Sequence, residues 1–140
     1  MAKRYVKAEL LAALWKLGGV RDERLPTSHG ILDRALKQCL GELPEQLRSG
    51  LTFGVTSVGL RCYELPDILL AAQEAMLTSE PNPTYLASIV TIDESRARQI
   101  AVSYGMSTGQ AKSIGERLRA AVHSVRDVVT SRSEQLSAAK

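Results

Sequence analysis

Residues 97–118, ARQIAVSYGMSTGQAKSIGERL, set a glycine directly after one helix-like run and a helix-opening Ser-Thr-Gly-Gln step directly before the next. Upstream, Thr91 and Glu94 have capping-box spacing, which predicts a helix starting near Ile92 and running through Ile100 to Tyr104. Gly105 then falls where a sharply turning chain needs a positive φ. Ser107 and Gln110 form a second S-x-x-Q box that opens a new helix within about one turn of the old one's end. Helices joined this tightly must cross steeply, and the crossing demands a small residue in the first and apolar residues around the turn. Ala101 supplies the small residue; Ile100, Met106, Ala111 and Ile114 supply the shared apolar face.

This order of small residue, turn glycine and spaced aliphatics resembles the helix-turn-helix superfamily of DNA-binding regulators. The resemblance covers these twenty-two residues, within a predicted interface of 92–119. It implies that the first turns of the second helix, Thr108, Gly109, Gln110, Lys112 and Ser113, enter the major groove. There Gln110 can read adenine, and Lys112 can reach guanine or phosphate. Arg96, Arg98, Arg117, Arg119 and Arg126 join Lys112 to outnumber Asp93, Glu94, Glu116 and Asp127, and hydroxyls such as Ser107 add uncharged phosphate donors. Gly109 departs from the usual recognition helix, because glycine weakens a helix by about 1 kcal/mol against alanine and carries no reading side chain. It can instead admit close approach of the backbone. A second, shorter resemblance lies in SIGERLRAAVHSVRDVV, which is similar to the end of the small late-gene antiterminators of lambdoid phages, where an "IG-R-L" helix follows the helix-turn-helix. That family binds DNA near a promoter and then loads onto RNA polymerase, so the resemblance implies RNA polymerase as a partner.

Elsewhere the patterning is mainly helical. Val6, Leu10, Leu11, Leu14 and Leu17 recur at helical spacing over Arg4 to Leu17, with Gly18-Gly19 expected as a left-handed stop. A second helix, capped by Thr27 or Ser28, carries Ile31, Leu32, Leu36 and Leu40, and Gly41 and Pro44 end it. Between Leu51 and Leu65 the period becomes two, with Leu51, Phe53 and Val55 and then Val58, Leu60 and Cys62 alternating, which predicts a hairpin. Pro66 opens PDILLAAQEAML, in which Ile68, Leu69, Ala72, Ala75 and Met76 make a nearly all-round apolar helix for a core or an interface. TSEPNPT at 78–84 is the strongest break, dividing an N-terminal helical region (1–80) from a helix-turn-helix region with a long C-terminal helix (81–140). After the short run YLASIV, the second helix of the pair extends its stripe through Leu118, Ala121, Val122, Val125, Val128 and Val129 to about residue 130. That stripe needs cover, by the N-terminal helices or by a second copy in a homodimer. The polar end, TSRSEQLSAAK, is expected to fray.

Composition narrows the function classes. The 140 residues, 44% hydrophobic and 24% charged, suit one compact domain or a small domain with an appended helix pair. Cys39, Cys62, His29 and His123 are scattered, so no metal spacing appears and buried free thiols are expected. The acidic pairs Asp22-Glu23 and Glu42-Glu45 lack a histidine or cysteine neighbour. Ser28-His29 lacks an acid, and no phosphate-cradling glycine loop is present, so neither an enzyme nor a cofactor is expected. Trp15 and Tyr5 read as core or interface aromatics. No apolar run is long enough for a bilayer and the N-terminus lacks a cleavage site, which predicts a cytoplasmic protein without a membrane partner. The net charge of +3 favours an acidic partner.

The chain is therefore expected to be mostly α, a helical domain with a small β-hairpin and a C-terminal helix-turn-helix followed by a long helix. The expected function is sequence-specific binding of double-stranded DNA by a transcription regulator of phage or plasmid type. Two alternatives stand beside it: a phage antiterminator binding DNA and RNA polymerase, and an all-α adapter that binds protein through helices 66–77 and 108–129.

Overall fold

In the computed structural model, residues 3–19, 24–26, 30–57, 59–79 and 87–138 are described. In chain order these form α1 (Lys3–Leu17), β1 (Arg24–Pro26), α2 (Ile31–Gln38), α3 (Glu45–Arg48), β2 (Phe53–Thr56), β3 (Gly59–Cys62), α4 (Leu65–Glu74), β4 (Thr78–Ser79), β5 (Ala87–Val90), α5 (Glu94–Ser103) and α6 (Thr108–Ala138). The chain is mostly helical, with the expected antiparallel hairpin at β2–β3, where Phe53 faces Cys62 and Val55 faces Leu60.

α1 is the central helix. Its buried set, Ala8, Leu10 to Trp15 and Leu17, is wider than a single stripe because α4, α5 and α6 all pack on it. The alanines let those neighbours come close. At its C-terminus α1 meets α6 backbone to backbone: a Cβ on Gly115 would lie 2.0 Å from the Leu14 carbonyl oxygen, and one on Gly18 would lie 2.3 Å from the Gly115 carbonyl carbon. Gly18 and Gly19 are thus not the expected left-handed stop, since neither has a positive φ. Gly18 ends the helix with an ordinary bond from its N–H to the Leu14 oxygen (3.0 Å) and is glycine because nothing larger fits.

The second helix begins at Ile31, after Gly30 at φ 66° and without a side-chain cap; Thr27 and Ser28 lie outside the described residues. It stops at Gln38, and Leu40–Glu42 tighten into a 3₁₀ turn, so Leu40, expected in its stripe, falls beyond the helix. The buried Asp33 carboxylate accepts the Cys62 N–H at 2.7 Å and pins the hairpin to α2. The Lys7 ammonium donates to the carbonyls of Gln46, Leu47 and Ser49, tying the end of α3 to α1.

α4 buries Leu65, Ile68, Ala71 and Ala72 and ends one residue before Ala75, so Ala75 and Met76 are not helical as expected. Met76 instead sits at φ 60° and is 82% exposed. Bonds from Met76 N–H to the Gln73 oxygen and from Leu77 N–H to the Ala72 oxygen close a Schellman motif around it, the place where glycine is usual. The chain then enters a sheet that alternation did not predict. β5, from the run read only as YLASIV, pairs antiparallel with β4 on one side and β1 on the other. The 78–84 break therefore begins within a paired strand, β4, and the described residues before and after it contribute to one hydrophobic core. α6 reaches Ala138, because residues 130–138 contain neither glycine nor proline, and the expected fraying tail is helical.

Three substitutions check this structure by denaturant unfolding. Gly115→Ala should lower stability by about 3 kcal/mol, because the obstructing atoms are backbone. Gly41→Ala, whose Cβ would meet nothing within 4 Å, should stay within about 0.5 kcal/mol of the parent. Met76→Gly should gain about 1 kcal/mol by removing a side chain from the left-handed region.

Candidate nucleic-acid interface

α5 starts two residues later than Thr91 and Glu94 suggested. Asp93 is the cap, its carboxylate accepting the Arg96 N–H at 2.7 Å, while the Thr91 hydroxyl donates to the Met76 carbonyl instead. α5 turns Ala97, Ile100 and Ala101 inward, all at most 1% exposed. Its end is a full Schellman motif: Gly105, at φ 84°, donates to the Val102 oxygen, and Met106 donates to the Ala101 oxygen, both at 3.0 Å. Met106 is buried beside it. Ser107 then caps α6, its hydroxyl accepting the Gln110 N–H at 3.1 Å. The expected shared face is present, with Ile100, Ala101, Met106 and Ala111 buried and Ile114 packed half-buried against the core.

A carboxylate that sequence patterning did not single out anchors this turn. Glu9, on α1, accepts a hydrogen bond from the Tyr104 hydroxyl at 2.9 Å and lies 3.8 Å from the Arg96 guanidinium. Burial, and then the bond to Glu9, push the Tyr104 phenol up to about 12. Gln46 donates to the Tyr104 carbonyl from the far side. A lone acid between Ala8 and Leu10 on an apolar helix was the only trace of this anchor in the sequence.

The residues expected to read DNA divide into two groups. Ser107, Thr108, Gly109, Gln110, Lys112 and Ser113 are all exposed and run together over the first two turns of α6. The arginines do not gather with them. Arg98 pairs with Glu94 at 3.1 Å within α5, Arg117 reaches Glu42 at 3.1 Å beside α2, and Arg96 leans on Glu9. Arg119 is turned to α1, donating to the carbonyls of Trp15 (2.9 Å) and Gly19 (3.2 Å) with its guanidinium 4.3 Å above the Trp15 ring. It caps a helix and covers an aromatic face.

Other chemistry has little to stand on. Cys39 and Cys62 are buried and free, and burial pushes each thiol up to about 11, so both stay protonated at neutral pH. Among the described residues no His, Cys, Asp and Glu side chains group as a metal would need, and no helix is long and apolar enough to cross a membrane. The apolar faces of α4 and α6 are largely covered by the chain itself: Leu118, Ala121, Val122 and Val125 are buried, with α1 and α2 packed on α6, while the side chains of Val128 and Val129 lie outside the described residues. No protein-family model matches this chain, and no curated protein or solved structure shows significant similarity to it.

The raised Tyr104 value fixes the sign of a pH effect. A phenol whose folded value lies above its unfolded value of 10.0 contributes stability below pH 10 and loses it as pH rises towards 12. Tyr104→Phe should cost about 1 kcal/mol at neutral pH. Unfolding followed from pH 8 to 12 should fall less steeply above pH 10 for this variant than for the parent.

Proposed function

We propose that this chain is a sequence-specific DNA-binding transcription regulator that reads duplex DNA with the first two turns of α6. The observation that carries the reading is the division of labour within that helix. Ala111, Gly115, Leu118, Val122 and Val125 hold it to the core, while Thr108, Gly109, Gln110, Lys112 and Ser113 project outward directly after a tight, fully hydrogen-bonded turn. A rigidly mounted helix end with polar side chains suits insertion into a major groove. The resemblance to helix-turn-helix regulators supports the same reading. The similarity to phage antiterminators adds less weight, because the Gly115 and Leu118 of its "IG-R-L" segment are both used in packing on α1 and the core.

The electrostatic contribution is modest on this reading. Arg96, Arg98, Arg117 and Arg119 already have partners within the fold, so the exposed Lys112, with Thr108, Ser113 and Gln110 as neutral donors, carries the first contacts. A protein contact is the second reading. It is favoured by Val102, 61% exposed in a recess of about 420 Å³ on the outer side of α5 with Ser95, Arg98, Gln99 and Ser103.

Titration of labelled duplex DNA at two salt concentrations tests the first reading, with affinity expected to fall as salt rises. Gln110→Ala should relax preference at one base pair, worth about 1–3 kcal/mol, with little change elsewhere. Lys112→Ala should weaken all sequences alike and reduce the salt slope by about one. A chain that binds no duplex at low salt would sink this function and leave the protein contact.

A further inference from the structure

α2 packs on α6, and near the C-terminal end of α2 lies a recess of about 470 Å³ lined by Gln38, Cys39, Glu42, Arg117, Ala120 and Ala121. A space of this size suits a small molecule. Cys39 and Ala121 are buried and give it an apolar floor, and burial keeps the Cys39 thiol protonated, so the floor carries no charge. α6 contributes alanine at both of its inner positions, which leaves the space open. Opposite charges stand side by side at the opening: the Arg117 guanidinium lies 3.1 Å from the Glu42 carboxylate, and their side chains are 58% and 46% exposed. The exposed Gln38 adds an amide there, and the end of α2 adds negative potential that favours a cation near Glu42.

We propose that this recess binds a free α-amino acid with an uncharged side chain. The ligand's carboxylate takes the Arg117 guanidinium, its ammonium takes Glu42 at the end of α2, and its side chain lies on Cys39 and Ala121. An α-amino acid holds its two charges close together, which matches a guanidinium and a carboxylate already in contact. A simple acid or a simple amine would leave one of the two protein charges without its partner. Exchanging the internal pair for the ligand costs little, because a half-exposed pair is weak in water. The site lies beyond the first two turns of α6 and does not depend on the DNA reading proposed above.

The test titrates the isotopically labelled full chain with L-alanine, L-valine, L-leucine, L-methionine and L-phenylalanine and follows the backbone amide resonances. Each is compared with its amide, which lacks the carboxylate, and its N-acetyl derivative, which lacks the ammonium. At least one amino acid should give saturable shifts at Cys39 and Ala121 in the millimolar range, and both derivatives should bind about fivefold more weakly. Arg117→Gln and Glu42→Gln, at half-exposed positions, should each weaken binding by about the same factor. Ala120→Leu, at an exposed position on the edge of the recess, should fill it and abolish the shifts in a chain that still unfolds cooperatively. Absence of saturable shifts with all of the amino acids would overturn the proposal. Equal binding of the derivatives, or binding that survives Ala120→Leu, would overturn it as well.

Discussion

Everything about the placement of α6 depends on a contact in which no side chain takes part. Gly18 just after α1 and Gly115 at the start of the third turn of α6 bring two backbones together so closely that a single added carbon on either would lie within 2.3 Å of a backbone atom. Close approach strengthens dispersion along the whole crossing, and it also fixes it, because neither backbone can yield as a flexible side chain would. Arg119 then closes over the junction, bonding the carbonyls of Trp15 in the last turn of α1 and of Gly19 just beyond it, with its guanidinium over the Trp15 ring. The contact positions α6 lengthwise. The Schellman turn at Gly105 and the Glu9 anchor on Tyr104 fix its first turn from the other end.

What could be read from the sequence was what neighbouring residues decide among themselves. The turn at Gly105, the Ser107 cap, the inward Ala101 and the pairing of the hairpin are all local, and each took the expected form, although Val55, set with Phe53 by alternation, is 84% exposed. What could not be read depends on distant partners. β1 and β4 hold three and two residues, too few for alternation to show, and β5, ASIV, does not alternate at Ile89-Val90; they become strands because segments far apart in the chain pair with one another. Gly18 looked like a helix stop because its partner Gly115 is remote. Met76 looked helical because it is apolar, although the chain places it at a left-handed position suited to glycine.

Charge shows the same division between count and placement. A count along residues 92–119 finds a basic excess, yet helical geometry sends Arg117 and Arg119 towards different neighbours, Glu42 and the end of α1. Arg96 and Arg98 meet Glu9 and Glu94 in the same way. Arg96, Arg98 and Arg117 remain about half exposed in these pairs, which are weak in water, so the carboxylates offset part of the apparent excess without fixing the guanidinium groups. The other exposed residues at the head of α6 are mainly neutral hydrogen-bonding groups, which on the proposed reading favour recognition by fit over attraction by charge.

On the proposed reading α6 carries both tasks because its buried and exposed residues are largely separate sets. Ala111, Gly115, Leu118, Val122 and Val125 recur at alternating steps of four and three, which keeps them on one side of the helix facing the core. Gly109, Lys112 and Ser113 lie off that stripe, Thr108 continues it to the exposed end of the helix, and none of the four belongs to the core. A substitution in the second set changes the surface presented by the first two turns and leaves the mounting unchanged. On the proposed reading, a family of such chains could change the DNA sequence it recognises through these positions alone, while Gly18, Gly105 and Gly115 hold the geometry constant.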